Sequence, residues 1–263
     1  MKALLVTGAA SGIGRATAIT AAAAGYAVAV GTFAGDPYDA DAVVAEITAA
    51  GARAFAVPAD VRDSDALVAA IDATVAQFGR LDAVVANAGV LKLAPLEVLR
   101  DDDWQRILDI DLTGVMRTVR AAVPRLSQHG AIVVVSSIAG AVVGWAGHTP
   151  YTSAKAGLIG FVRSAALELG PRGLRINAVL PGVIQSPQSL DPVNSGGPAG
   201  LERSAPAIPL GRVGQPADVA EPSTFSYPIR PHTSPVSPSP STAASPQSGR
   251  PDRHAHRRTV RRA

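Results

Sequence analysis

The chain has 263 residues, 47% of them hydrophobic, which is enough to bury the core of one large domain or two small ones. The absence of cysteine excludes disulfides, a thiolate nucleophile and thiolate metal sites. The formal net charge is +3, but residues 222–263 contain seven arginines and one acid, so the other residues together carry −3. We therefore expect no basic face for a nucleic acid on the folded part of the chain.

The N-terminal apolar run is too short for a signal peptide, and no apolar stretch reaches the length of a membrane span. The sequence therefore predicts a cytoplasmic protein with no membrane partner. The carboxylates and histidines form no ligand-like cluster, so we expect no metal site either.

Apolar runs of strand length alternate along the chain with alanine-rich stretches of helical period. Strands this uniformly apolar are typical of a parallel sheet covered by helices on both faces. Repeated βα units of this size predict an α/β fold with a Rossmann-type, doubly wound parallel sheet, and Gly25, Gly51 and Gly79 stand where helices should end. The predicted strands are Ala3–Thr7, Ala27–Gly31, Ala54–Pro58, Ala83–Ala86, Ala131–Ser136 and Arg175–Leu180, and helices are predicted near residues 12–24, 39–50, 63–78, 101–128 and 151–169.

The pattern loosens towards the C-terminus. Residues 185–216 are rich in proline and predict a long mobile loop, followed by a short helix over Pro216–Glu221. Residues 222–263 contain eight prolines and eight serines, so burial of apolar surface there cannot offset the entropy lost on ordering. We therefore predict a folded domain over residues 1–221 and a disordered tail over residues 222–263.

The first predicted strand leads into the glycine-rich turn Thr7-Gly8-Ala9-Ala10-Ser11-Gly12-Ile13-Gly14 and then into an alanine-rich helix. Glycines there allow a tight turn and a close approach of the backbone to a pyrophosphate, and the helix N-terminus offers N–H groups and a positive dipole end. A glycine-rich turn alone is often only a loop. Its place between a buried strand and a helix, at the start of a βα series, predicts a dinucleotide site.

Tyr151 and Lys155 stand four residues apart on a predicted helix, so their side chains share one face. A free tyrosine, with a pKa of about 10, is a poor acid–base catalyst at neutral pH, and a fixed cation nearby lowers that pKa. Such a pair is common by chance on protein surfaces. Here, however, Ser136 and Ser137 end a buried strand, at the sheet edge where ligands bind, and a hydroxyl there can hydrogen-bond a substrate oxygen.

These motifs, together with Asn87-Ala88-Gly89 and Pro181-Gly182, occur in the order and spacing of the short-chain dehydrogenase/reductase family, which the chain resembles from residue 1 to about residue 221. Within that family the chain is similar to bacterial 3-oxoacyl-[acyl-carrier-protein] reductases. The resemblance implies an NAD(P)-dependent oxidoreductase that interconverts a small-molecule carbonyl and a secondary alcohol.

The resemblance also implies roles for individual residues. Tyr151 exchanges a proton with the substrate oxygen, and Lys155 holds the nicotinamide ribose and lowers the tyrosine pKa. Ser137, with Ser136 as the second choice, orients and polarises the substrate oxygen. Tyr151 and Lys155 are joined in the cofactor site by residues of the glycine-rich turn, of the strand ends and of the segment after the sixth strand: Gly8, Ser11, Gly12, Ile13, Gly14, Thr32, Asp60, Val61, Asn87, Ala88, Gly89, Pro181, Gly182, Val183 and Ile184.

One departure from the family lies in the helix after the fourth strand, where relatives usually have Asn and this chain has Asp111. In relatives the main-chain carbonyl at this position helps to hold a water in a proton relay to the lysine, so the resemblance adds Asp111 to the catalytic group. Its carboxylate would stabilise the Lys155 ammonium and disfavour a phenolate, which predicts an altered pH optimum. The alternative is that Asp111 only makes a hydrogen bond at a helix kink.

A second departure concerns the choice of cofactor. The second strand ends in Thr32, where NAD-preferring relatives place an acid that hydrogen-bonds the ribose 2′-hydroxyl. No carboxylate at this position repels a 2′-phosphate, although Asp36 follows in a loop and Arg15 is the nearest cation in the sequence. We therefore expect NADP to be preferred over NAD.

The third departure is the C-terminus, where the helix and last strand of the family are missing from the pattern after Glu221. A shifted reading frame of a GC-rich gene would encode such a tail; the alternative is a natural disordered tail whose basic end contacts anions. In relatives the final helix and strand also build a subunit interface of the homotetramer, so the resemblance implies a homo-oligomer no larger than a dimer. Without the last strand, Arg175–Leu180 becomes an exposed apolar sheet edge, which is an association hazard. A second function class also stays open, in which the damaged end leaves an inactive or merely nucleotide-binding protein.

Overall fold

The structure is a computed structural model that describes residues 1–220 and 239–240. It confirms the α/β fold with a Rossmann-type sheet, in which six parallel strands follow the spatial order β3-β2-β1-β4-β5-β6. A further strand of two residues, β7 (Ser239–Pro240), pairs with the end of β6. The strands are β1 (Lys2–Val6), β2 (Tyr26–Thr32), β3 (Ala54–Pro58), β4 (Ala83–Ala86), β5 (Ala131–Val135) and β6 (Arg175–Leu180). The tail predicted over residues 222–263 otherwise lies outside the described residues.

Helices cover both faces of the sheet. The predicted helix near 101–128 ends earlier than expected, at Ala122. It consists of α4 (Asp101–Leu108) and α5 (Gly114–Ala122), joined by one π-helical turn, Asp109–Thr113. None of the helices in residues 1–220 is long and apolar enough to cross a membrane. They are α1 (Gly12–Ala23), α2 (Ala40–Ala49), α3 (Ser64–Phe78), α4 (Asp101–Leu108), α5 (Gly114–Ala122), α6 (Ile138–Ala141), α7 (Thr149–Leu169), α8 (Pro187–Leu190), α9 (Gly197–Ser204) and α10 (Pro216–Val219).

The core forms on both sides of the sheet because successive residues of a strand point to opposite faces. In β1, Leu4 and Val6 pack in one apolar cluster with residues of α1 and α2, whereas Leu5 packs in another with residues of α3. All three side chains have no exposed surface. Burial on both faces therefore explains why the strand sequences lack polar alternation.

The helix boundaries follow local chemistry. Asp39 and Asp63 accept hydrogen bonds from backbone N–H groups in the first turns of α2 and α3, which satisfies donors that a helix start leaves free. The glycines predicted to end helices are confirmed there, with φ of 89° at Gly25, 83° at Gly51 and 80° at Gly79. Residues that have a side chain rarely adopt this left-handed backbone conformation, so glycine fits best at these positions.

The segment 185–216 differs from the loop that its prolines predict, because it contains α8 and α9. The hydroxyl of Ser186 accepts a hydrogen bond from the N–H of Ser189, and the Ser189 hydroxyl accepts one from the N–H of Ser186. Prolines stand in the first turns of both helices, where their missing N–H costs nothing. We refer to residues 185–216 below as the substrate-side segment.

Candidate active site

The carboxyl ends of β1, β4 and β5 meet at one edge of the sheet. The last residue of β1, Val6, pairs with Val30 of β2 on one side and with Val85 of β4 on the other. The strand order therefore reverses at β1, and doubly wound folds have a crevice outside the carboxyl ends of the strands at such a reversal. Ligands of doubly wound folds bind at such a reversal.

The glycine-rich turn lies in this crevice, and it has no room for a side chain at Gly8 or Gly14. A Cβ on Gly14 would collide with the Gly8 carbonyl oxygen, and a Cβ on Gly8 would lie 3.0 Å from the Cα of Ala88. Gly8 and Gly12 have φ of 62° and 53°, in the left-handed region. The turn thus holds a conformation that only these glycines fit well.

The helix that follows the turn keeps its N-terminal donors available. Ser11 is the N-cap of α1 but its side chain makes no capping hydrogen bond, and the first turn contains no acid. The N–H groups and the positive dipole end of α1 therefore face the crevice without a competing anion from that turn. These residues fit a dinucleotide whose pyrophosphate lies at the start of α1.

Asn87 holds the glycine-rich turn from the end of β4. Its side-chain amide donates to the carbonyls of Thr7 (3.0 Å) and Gly8 (3.1 Å). In return, the Thr7 hydroxyl accepts from the N–H groups of Asn87 (3.1 Å) and Ala88 (3.2 Å). The Asn87 side chain therefore shapes the turn, whereas Gly89 lies beside the side chains of Asp111 and Lys155.

The structure brings the Tyr151 and Lys155 side chains to the same edge, on the first two turns of α7. Nζ of Lys155 lies 5.5 Å from the centroid of the Tyr151 ring and donates to the carbonyl of Val135 at 3.2 Å, at the end of β5. Lys155 is 4% exposed. The cation is thereby fixed beside the phenol and withdrawn from solvent.

The two serines after β5 have different surroundings. The Ser136 hydroxyl donates to the carbonyl of Lys155 at 2.8 Å and so links β5 to α7. The Ser137 hydroxyl accepts from the N–H of Ala139 at 3.0 Å and interacts with the hydroxyl of Tyr151. Of the two, Ser137 is therefore the one that faces the phenol.

Asp111 completes the group from the π-helical turn and is fully buried. Its Oδ1 accepts from the N–H of Val90 at 2.8 Å, and its Oδ2 lies 3.3 Å from Nζ of Lys155. The two charges are within ion-pair distance, but Oδ2 has no well-directed hydrogen bond within the described residues. The carboxylate thus contacts Lys155, and its hydrogen bond from the Val90 N–H reaches the segment after β4 and does not stay within the helix.

Burial is the largest influence on the pKa values of Asp111 and Tyr151. It raises the pKa of Asp111, although the Lys155 charge and the Val90 N–H act to lower it. Burial also raises the pKa of Tyr151; the Lys155 charge and the Ser137 hydroxyl lower it, and the Asp111 charge raises it further. Tyr151 as a whole is only partly buried, and burial is nevertheless the largest influence on the pKa of its phenol. Tyr151 is therefore protonated at neutral pH.

A carboxylate from the loop after β2 lies at the end of that strand. The Thr32 hydroxyl donates to Oδ2 of Asp36 at 3.1 Å, which brings the acid of the following loop back to the strand end. Arg15, the nearest cation in the sequence, forms an ion pair with Glu46 in which both side chains are about half exposed. The region expected to contact the adenosine ribose thus contains both an acid and a weakly held cation.

The remaining predicted residues line the rest of the edge. Asp60 follows β3 and pairs with Arg62 at 2.6 Å, which lowers the pKa of Asp60 through that hydrogen bond. Val61 is buried and packs against Gly114 of α5. The segment after β6 is anchored by two backbone hydrogen bonds: the Pro181 carbonyl accepts from the N–H of Ile138, and the Val183 carbonyl accepts from the N–H of Gly214. Gly182 and Ile184 lie in the same segment.

Trp145 and His148 form an aromatic contact at the Tyr151 side of the edge. Their rings stack with centroids 3.8 Å apart, and the Trp145 ring meets the Tyr151 ring edge-on at 6.1 Å. Both residues stand just before Tyr151 in the sequence, which leaves substrate contact and loop packing as equal alternatives for them. The sequence does not show that His148 meets Asn194 of the substrate-side segment, although Asp191-Pro192 is a turn signal there.

This chain thus combines a crevice at the strand ends, a glycine-rich turn and a tyrosine–lysine pair. Together these features define the class of NAD(P)-binding oxidoreductases. Residues 8–225 match the family described as "Enoyl-(Acyl carrier protein) reductase". The chain belongs to the short-chain dehydrogenase/reductase family.

Individual relatives agree with this assignment. The chain is 42% identical over 226 residues to the 3-oxoacyl-[acyl-carrier-protein] reductase FabG of Staphylococcus aureus (strain Mu50), covering 85% of this chain and 89% of that protein. It is 43% identical over 225 residues to the cis-4-hydroxycyclohexanecarboxylate dehydrogenase of Sinomonas cyclohexanicum, covering 84% and 87%. A short-chain dehydrogenase of Burkholderia cenocepacia J2315, solved in complex with NADP, superposes with a TM-score of 0.77 at 35% identity over 85% of this chain and 89% of that one.

Proposed function

We propose that the protein reduces a carbonyl to a secondary alcohol, and can reverse that reaction, with NAD(P) as cofactor and Tyr151 as the acid and base. The observation that carries this proposal is the Tyr151–Lys155 pair with Ser137 beside the phenol, at the edge of the sheet where the dinucleotide crevice opens. The raised pKa of Tyr151 favours reduction at neutral pH, because the phenol holds the proton that the product oxygen needs.

Each side chain has a separate task in this mechanism. Ser137 orients the substrate oxygen towards the Tyr151 hydroxyl, which donates its proton to that oxygen. Lys155 stabilises the phenolate that remains and holds the ribose of the cofactor. The bound nicotinamide cofactor supplies the hydride to the substrate carbon. Asp111 stabilises the positive charge of Lys155, since its carboxylate lies 3.3 Å from Nζ.

NADP is proposed as the preferred cofactor. Thr32 in place of an acid supports it, as does the NADP bound to the Burkholderia relative. The Arg15–Glu46 pair is exposed, so a 2′-phosphate could take the guanidinium from Glu46 at little cost. The Thr32–Asp36 hydrogen bond is the observation that favours NAD, because the Asp36 carboxylate there can accept from a ribose 2′-hydroxyl.

The substrate is proposed to be a small carbonyl compound with an apolar part. Trp145 is 39% exposed beside Tyr151, and Leu93, 45% exposed, lies against Gly147 in the same loop region. An apolar group next to the carbonyl would cover these side chains. The relatives named for a 3-oxoacyl-[acyl-carrier-protein] and for cis-4-hydroxycyclohexanecarboxylate supply two substrate types to test. A cytoplasmic location stays a prediction.

The alternative is a family member that binds the nucleotide but does not turn over, because its C-terminal end departs from the family. Two measurements separate the functions. NADPH fluorescence reports binding, and NADPH absorbance in the presence of a 3-oxoacyl thioester or 4-oxocyclohexanecarboxylate reports turnover. Binding with ketone-dependent loss of NADPH supports the enzyme, and binding without turnover of any ketone in a broad panel supports the alternative.

A further inference from the structure

The ring of His148 links the start of α7 to a distant part of the chain, the substrate-side segment. This residue directly precedes α7 and is 3% exposed. Its Nδ1 lies 3.0 Å from the carbonyl oxygen of Ala146, and its Nε2 lies 3.0 Å from the carbonyl oxygen of Asn194 in the substrate-side segment. Carbonyl oxygens only accept, and an imidazole with one N–H donates to one of the two carbonyls at a time. The nitrogen that faces the substrate-side segment is Nε2.

The partner of His148 is a turn that is already organised. Oδ1 of Asp191 accepts from the N–H groups of Val193 (2.8 Å) and Asn194 (3.2 Å), and its Oδ2 accepts from the Asn194 amide at 2.8 Å. The Ser195 N–H donates to the Asp191 carbonyl. The turn Asp191–Ser195 thus satisfies its own side chains and presents the Asn194 carbonyl to His148.

The substrate-side segment is anchored at both ends of the site. At its start, the Cβ of Ser186 lies 3.5 Å from where a Cβ on Gly12 would stand, so this residue borders the glycine-rich turn. Further along, the Asn194 carbonyl meets His148, one helical turn before Tyr151. The segment therefore extends from the cofactor crevice to α7, the helix that carries Tyr151. His148 holds the segment at that helix through Asn194.

The same imidazole fixes the indole of Trp145. The two rings are nearly parallel, 19° apart, with centroids 3.8 Å apart, and the indole meets the Tyr151 ring edge-on. We propose that His148 is a positioning residue that ties the turn Asp191–Ser195 and the Trp145 ring to the start of the Tyr151 helix, and so assembles the substrate pocket. This inference rests on the proposed function, because it assigns the pocket of that reaction.

This role has a specific kinetic consequence. His148 touches no reacting atom, so its loss leaves the proton transfer from Tyr151 intact once substrate is bound. It lowers the fraction of molecules in which the turn Asp191–Ser195 lies against the start of α7, and the apparent affinity for substrate falls by that fraction. Loss of the contacts therefore raises KM for the ketone and spares kcat, whereas a general loss of folding lowers the amount of active enzyme and leaves KM unchanged.

The experiment compares His148→Phe, which keeps an aromatic ring against Trp145 without the hydrogen bonds, with His148→Gln, which retains an amide donor. His129→Asn is the matched control, because His129 is exposed at the opposite edge of the sheet, before β5, and Asn tolerates its φ of 64°. We expect His148→Phe to raise KM for the ketone about tenfold, as one or two lost hydrogen bonds would, with kcat within about twofold of wild type. His148→Gln should recover part of this loss, and His129→Asn should match wild type.

Two further measurements keep the test decisive. Asp191→Ala loosens the same turn from its other side and should raise KM likewise, which decides the matter if His148→Phe fails to fold. Trypsin should cut after the exposed Arg203 faster in His148→Phe than in wild type, a readout that needs no turnover. Wild-type KM in His148→Phe or, failing that, in Asp191→Ala overturns the inference, as does a fall in kcat alone or unchanged cleavage. A wild-type protein that reduces no ketone overturns the proposed function instead, and the trypsin result then still judges the role of His148.

Discussion

Oδ2 of Asp111 lies 3.3 Å from Nζ of Lys155, and both side chains are withdrawn from solvent. The negative charge raises the pKa of Tyr151, since it opposes formation of a phenolate nearby, whereas the lysine charge lowers it. The pH range in which the phenol acts as a proton donor therefore depends on both members of this pair.

Asp111→Asn should move the pH dependence of the reaction to lower pH. The substitution removes a charge that raises the pKa of Tyr151, so the phenol loses its proton at a lower pH than in wild type. Reduction needs the phenol and oxidation needs the phenolate, so the alkaline limb of reduction and the acidic limb of oxidation should both shift downwards. The measurement is kcat/KM against pH in both directions.

Asp109→Asn is the matched control for that shift. Asp109 belongs to the same π-helical turn, but it pairs with Arg117 at 2.7 Å and is partly exposed. Its profile should coincide with that of wild type. Coincident profiles for Asp111→Asn and wild type would show that Asp111 exerts no electrostatic effect on Tyr151.

The two serines after β5 should respond differently to alanine. Ser137→Ala removes the hydroxyl beside Tyr151 and should lower kcat/KM by about 10²-fold, the scale of one lost donor to a developing oxyanion. Ser136→Ala removes a bond to the Lys155 carbonyl and should lower the free energy of unfolding by about 1 kcal/mol. Steady-state kinetics and urea unfolding of both variants check this. The assignment of Ser137 fails if Ser136→Ala loses the activity and Ser137→Ala keeps it.

The sequence predicts the sheet well and its surroundings less well, for physical reasons. Strands buried on both faces must be apolar, so β1 and β4 are visible as runs whose ends are nearly correct. The helices α8 and α9 have only four and eight residues, which is too short for a clear helical period in the sequence, so their prolines suggested a loop instead. Chain order alone cannot show that Asp111 contacts Val90 and Lys155, because both partners are distant from it in the sequence.

Thr32→Asp tests the cofactor preference. A carboxylate at the strand end repels a 2′-phosphate and accepts from a 2′-hydroxyl, so the ratio of kcat/KM for NADPH to that for NADH should fall by about tenfold or more. Asp36→Ala is the companion variant and should raise the ratio, since the Asp36 carboxylate lies against Thr32. Unchanged NADPH affinity in Thr32→Asp would remove Thr32 from the ribose site.

The tail prediction concerns assembly and proteolysis. From the composition of residues 222–263, we expect a protease of broad specificity to cut near Arg230 and Arg250 and leave a resistant core. Trypsin does not serve at these two arginines, because a proline follows each of them. We expect light scattering to give a mass no larger than a dimer. Strand β7 pairs with Val179 and Leu180 of β6, so protection that begins at Ser239 would be the first sign of a folded tail. A tetramer whose tail resists the broad-specificity protease would contradict this prediction.

Tyr151 is proposed to transfer a proton in a carbonyl reduction, and Tyr151→Phe removes that proton while the ring and its packing against Trp145 are kept. Ketone-dependent NADPH oxidation is compared between wild type and variant, with NADPH binding followed by fluorescence in both. We expect kcat to fall by at least about 10²-fold, the scale of general acid catalysis, with NADPH affinity retained. A Tyr151→Phe protein that turns over at the wild-type rate would contradict the proposed role of Tyr151.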